Sequence, residues 1–113
     1  MLRGEIYLAS FPFGNVPGMK LRPVLLLTSP LGANAEVVAV YISSVVPTAL
    51  LPSDLVLDPQ TPEYISTHLK VVSVLRLHKL ATIHSNIIQR YLGTISLEAL
   101  QNVDAKLRTV LSL

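Results

Sequence analysis

Lys20-Leu21-Arg22-Pro23-Val24-Leu25 sets two cations at the entry to an apolar run. Pro23 biases Arg22 toward extended backbone and brings no N–H of its own, which predicts a guanidinium at the rim of a strand, beside a loop. A planar fork of five donors suits a phosphodiester and the charge that builds on it under attack. The same side chain equally caps strand-end carbonyls or pairs with a carboxylate. Ile42-Ser43-Ser44 places two hydroxyls directly after a second apolar run. They can hold phosphate oxygens or orient a ribose hydroxyl, or simply end a strand and start a turn. In Arg76-Leu77-His78-Lys79, alternation along a strand puts Arg76 and His78 on one face. That pair suits acid and base work, or is a plain exposed face.

Short strands are needed to position these groups. Glu5–Ser10 reads as the first, and Phe11-Pro12-Phe13-Gly14-Asn15-Val16-Pro17-Gly18 after it is a loop rich in turn signals, with Phe11 and Phe13 expected to anchor it by packing. Pro23–Thr28 and Val37–Ile42 are apolar throughout, the pattern of strands buried on both faces. Pro47, Pro52, Pro59 and Pro62 punctuate the chain around Leu55-Val56-Leu57, which fits a short edge strand. Lys70–His78 and Tyr91–Ile95 read as further strands, with a single helical turn from Ser85 through Gln89 between them. From Leu97 to Leu113, Leu100, Val103, Leu107, Val110 and Leu111 recur at helical spacing behind Ser96 as N-cap, with Glu98 in the first turn. Five or six strands closed by one helix predict a mainly β protein, a small barrel with a C-terminal amphipathic helix.

Composition narrows the chemistry. A chain of 113 residues fits one domain, spanning 1–113, with room for one core and one site. With no cysteine, disulfides, thiolate metal sites and cysteine nucleophiles are excluded, and three scattered histidines do not form a zinc site. No metal is therefore expected. The apolar runs fall far short of the about 20 residues a membrane span requires, and Met1–Ile6 lacks the apolar core of a signal peptide, so a cytoplasmic protein without a membrane partner is expected. Half of the residues are hydrophobic and only 14% are charged, more apolar than a free monomer needs, which predicts a homodimer. A net charge of +2 permits an anionic partner without demanding one.

Gly4-Glu5-Ile6-Tyr7-Leu8, Lys20-x-Arg22-Pro23-Val24-Leu25, Val40-Tyr41-Ile42-Ser43-Ser44 and Ser73 through Ile83 occur in the order and approximate spacing of one family. Together they resemble the MazF/PemK, or Kid-like, toxin endoribonucleases from Gly4 to the terminal helix. The resemblance implies an SH3-like barrel and a symmetric dimer. It also implies cofactor-free cleavage of single-stranded RNA, held in check by a cognate antitoxin. The MazF-like pattern points to Arg22 and Ser43 as catalytic. The PemK-like Arg-x-Asp pattern points to Arg76, with His78 where the Asp would stand and Val16 near the place of a loop histidine. Lys20, Ser44 and Lys79 are then expected to bind RNA. Without a metal, the RNA 2′-hydroxyl is the available nucleophile, giving a cyclic phosphate and a 5′-hydroxyl, and such a reaction needs a base, an acid and positive charge. The alternative is an inactive barrel that binds nucleic acid or a partner peptide.

Overall fold

The computed structural model describes residues 1–11 and 20–113, so Phe13 and Val16 lie outside the described residues, as does the side chain of Phe11. Six strands, β1 (Glu5–Phe11), β2 (Lys20–Leu26), β3 (Glu36–Ser43), β4 (Asp54–Leu57), β5 (Ser73–His84) and β6 (Ile88–Thr94), precede one helix, α1 (Leu97–Leu111). Two 3₁₀ turns, Ile65–Thr67 and Ser85–Ile87, lead into β5 and β6. All six strands form one antiparallel sheet in the order β4-β5-β3-β2-β1-β6. Its outer strands do not pair with each other, so the barrel predicted from the sequence is an open, mainly β one.

The unbroken apolar runs of β2 and β3 are explained by burial on both faces. Leu25, Leu27, Val40 and Ile42 join Leu75, Leu77 and the α1 residues Ala99 and Val103 in one core. Val24, Leu26, Val37 and Ala39 join Ala9 and Ile83 in a second. A fully buried aliphatic side chain of this size contributes about 1.5–3 kcal/mol, which makes the β2–β3 pair the spine of the sheet. The helix is capped as its sequence predicts: Ser96 Oγ accepts from the Ala99 N–H at 3.1 Å, with Glu98 in the first turn and Arg108 in the last. Arg3 ties the N-terminus to this helix by pairing with Asp104, and to the residue after β2 by donating to the Leu27 carbonyl at 3.0 Å.

β5 serves two neighbours and bends between them. Ile42 pairs with Leu75 and Val40 with Leu80, so Tyr41 alone faces the four residues Arg76, Leu77, His78 and Lys79. An irregularity of this kind bends a strand sharply and curls the sheet. The released residues pair instead with the edge: Arg76 lies opposite Asp54, and the Leu77 N–H donates to the Ser53 carbonyl at 2.9 Å. The Asp54 side chain is fully buried there, accepting from the Leu51 N–H at 2.8 Å and from Arg76 Nε at 2.9 Å and Nη2 at 3.3 Å.

Burial pushes the Asp54 carboxyl up, but the Leu51 N–H and the Arg76 guanidinium outweigh it and leave the group below its ordinary value. A depressed carboxyl contributes stability that is present above the unfolded value of about 3.9 and is lost as pH falls through the lower folded value. The urea midpoint of the wild-type protein should therefore fall between about pH 5 and pH 2 more steeply than that of Asp54→Asn. At pH 7 the substitution should cost roughly 1–3 kcal/mol, because Arg76 loses a charged acceptor in a buried place.

Candidate functional site

Cross-strand partners share a face of the sheet, and the row Pro23, Leu8, Arg90 crosses β2, β1 and β6. Pro23 and Leu8 of this row floor a cleft of about 260 Å³, together with Ile42 and Leu92. Its polar rim consists of Arg22, Ser44, His68, Lys70, Ser73 and Arg90. Arg22 is half-buried, while Ser44, His68, Lys70 and Arg90 are exposed. Among the described residues, three permanent cations thus line one cleft and no carboxylate does. An apolar floor with a cationic rim is fitted to a base or sugar below and a phosphate above.

The wall carrying His68 and Lys70 is built by the first 3₁₀ turn. Gly93 on β6 makes it possible: a Cβ there would sit 2.7 Å from the Thr67 carbonyl oxygen and closer still to that of Ser66. Only a residue without a side chain lets the turn lie directly on β6. Ser66 Oγ then donates to the Thr94 carbonyl at 2.8 Å, and buried Thr67 donates its hydroxyl to the Tyr64 carbonyl at 2.7 Å. His68 caps the turn with φ 55° and ψ 24°, left-handed backbone that histidine tolerates better than most residues.

Of the residues singled out from the sequence, Arg22 and Ser44 meet in the cleft. Ser43 is near: continuing the β2–β3 register two places beyond Val24–Tyr41 sets it level with Arg22. Its hydroxyl accepts from the Val45 N–H at 3.1 Å, the local turn also foreseen for this position. Lys20 is exposed at the start of β2, opposite Phe11. Arg76, His78 and Lys79 do not line the cleft. Arg76 is engaged by Asp54, His78 Nδ1 lies 2.7 Å from Ser53 Oγ, and Lys79 is exposed. The sequence reading missed His68, Lys70 and Arg90. The signals for them are faint: a His-x-Lys pair at the start of a strand, and an arginine falling between a helical turn read to Gln89 and a strand read from Tyr91. In the structure that turn is the 3₁₀ segment Ser85–Ile87, capped by His84 rather than Ser85, and β6 begins at Ile88.

A curled antiparallel sheet with a C-terminal helix packed on it, and a cleft lined by Arg22, Lys70 and Arg90, defines a small barrel-like protein with a cationic cleft. The comparisons agree and go further. The family model described as PemK-like, MazF-like toxin of type II toxin-antitoxin system matches residues 2–111, and the chain belongs to that family. No curated protein matches it significantly. Among solved structures, it resembles an endoribonuclease in complex with its cognate antitoxin from a mycobacterial species, at 21% identity and TM-score 0.69, covering 100% of this chain and 96% of the other. It also resembles the Mycobacterium tuberculosis toxin MazF-mt6, at 20% identity and TM-score 0.74, over 96% of this chain and 97% of the other. MazF in the MazE-MazF structure from Deinococcus radiodurans matches at 19% identity and TM-score 0.72, over 100% and 97%.

The close approach at Gly93 yields a direct expectation. Gly93→Ala should lower stability by about 1–3 kcal/mol, because backbone carbonyls and not a flexible side chain occupy the space a methyl needs. A denaturant midpoint equal to the wild type would show that the turn moves away freely.

Proposed function

We propose that this chain is the toxin of its pair: a cytoplasmic homodimeric endoribonuclease, acting as one domain over residues 1–113, that cleaves single-stranded RNA without a resident metal and is blocked by a cognate antitoxin. The observation that carries this reading is the cleft itself, where Arg22, Lys70 and Arg90 gather around an apolar floor with no lining carboxylate. The RNA 2′-hydroxyl attacks the adjacent phosphorus, the bond to the 5′-oxygen breaks, and a 2′,3′-cyclic phosphate and a 5′-hydroxyl result. Arg22, half-buried on rigid β2, stabilises the charge that builds on the phosphoryl oxygens. Ser43 and Ser44, at and just past the end of β3, hold the strand's phosphate or ribose oxygens, and Lys20 extends the cationic track. Arg76, His78 and Lys79 form a second group toward β4, where Arg76 and His78 are candidates for proton transfer and Lys79 for backbone binding.

No described helix is long and apolar enough to cross a membrane. Val45, Leu50 and Leu51 stand exposed in the β3–β4 connection, apolar surface of the kind a second copy covers. Sedimentation should accordingly show a dimer at micromolar concentration, and a stable monomer would contradict this part of the reading.

The decisive experiment is incubation of the protein with a long unstructured RNA in excess chelator. Cleavage leaving cyclic phosphate ends is expected, and Arg22→Ala should slow it by about 10²–10³-fold with little change in melting temperature. Binding without cleavage, falling steeply with salt as phosphate contacts require, would instead identify an inactive barrel that only holds nucleic acid.

A further inference from the structure

Proton transfer in this cleft requires a group that reaches it, and one imidazole does. His68 lines the cleft beside Arg22 and Ser44. Its Nδ1 lies 2.8 Å from the backbone carbonyl oxygen of Leu92 on β6. A carbonyl carries no proton to give, so Nδ1 must be the donor, and the neutral ring is fixed with its lone pair on Nε2. Three constraints hold the ring's base in place: the left-handed cap at φ 55°, the His68 N–H directed at the Ile65 carbonyl, and the seat of the turn on Gly93.

We propose that His68 is the general base of this protein's RNA cleavage. The assignment rests on the ribonuclease reading above and deepens it. Nε2 takes the proton of the 2′-hydroxyl as the 2′-oxygen bonds to phosphorus and the bond from phosphorus to the 5′-oxygen breaks. The leaving 5′-oxygen collects a proton from water, and the imidazolium returns its own to solvent, so protons balance over the turnover. Among the described residues, the charged side chains that line the cleft with His68 are cations: Arg22 from β2, Lys70 two residues along its own segment, and Arg90 from β6. They hold the phosphate while the imidazole, through the Nε2 lone pair, does the transfer. Lys70 and Arg90 thereby become RNA-backbone contacts.

His68→Asn is the informative variant, because asparagine accepts left-handed backbone and so keeps the cap while removing the imidazole. His68→Gly serves as a second, since glycine adopts that backbone without cost. Both are compared with the wild type by thermal melting, by cleavage of a long unstructured RNA from pH 5 to 8, and by binding of an all-2′-deoxy oligonucleotide that cannot be cut. Both should melt near the wild-type temperature and bind the deoxy strand within about threefold, and cleavage should fall about 10²–10⁴-fold with its rising pH limb flattened. A substrate with sulfur in place of the bridging 5′-oxygen, whose leaving group needs no proton, should leave the defect in place. Wild-type rate and pH profile in either folded variant, or restoration by the sulfur leaving group, overturns the assignment while the ribonuclease reading stands. Absence of cleavage by the wild-type protein overturns both.

Discussion

The seat of the first 3₁₀ turn on β6 is the contact on which the cleft depends. The turn is only three residues long and makes few hydrogen bonds of its own, so it has no independent stability. Its position comes from β6, where Gly93 leaves room for two backbone carbonyls and Thr94 and Leu92 accept from Ser66 and His68. β6 in turn is held by β1, opposite Leu8 and Ile6, and β1 by β2. The line of support therefore runs from the doubly buried spine outward to an exposed histidine. Each step ends on strand backbone, which is why a loop residue can be placed with the precision of a strand residue.

A second constraint acts at the other end of the sheet. The four residues of β5 that lose their partners on β3 carry both the arginine and the histidine that the PemK-like pattern highlights. Two of them turn to the edge instead, Arg76 opposite Asp54 on β4 and the Leu77 N–H donating to the Ser53 carbonyl, and a buried carboxylate reinforces the attachment. Asp54 thus has a structural duty that binds Arg76 on the edge side of the molecule. The same bend that gives the sheet its curl separates this pair from the cleft formed around Arg22. Sequence proximity in a motif and proximity in space part company at that bend.

The fold was largely legible because its signals are local. Continuous apolar runs marked β2 and β3, prolines marked the edge strand β4, and Ser96 with its helical periodicity marked α1, each within a residue or two of its observed position at one end or both. β5 was read too short and β6 was partly read as helix, since Ser85-Asn86-Ile87 does turn, but for three residues only. The site was legible only where it lies on strands. Arg22 announced itself through Pro23, whereas His68 sits on no periodic element and its left-handed backbone leaves no trace in residue type. Arg90 faces the cleft through a register set by two breaks in the β1–β6 pairing, between Ile6 and Tyr7 and between Leu8 and Ala9, which no single-strand pattern encodes.

Electrostatics show the same contrast between the whole and the site. A net charge of +2 on 113 residues is a weak field when averaged over the surface. The fold concentrates it by keeping carboxylates elsewhere. Asp54 is spent on Arg76, Asp104 on Arg3, Glu5 on Tyr7 and the N-terminus, and Asp58 on the Gln60 N–H of its own turn. None of the chain's seven acidic residues lines the cleft, while Arg22, Lys70 and Arg90 do. Cations around an apolar floor focus the potential on whatever anion enters, and at an ionic strength of 0.15 M the Debye length of about 8 Å screens the more distant carboxylates from it. The cationic character of the cleft follows from where the charges are tied down, and the modest total charge is no argument against it.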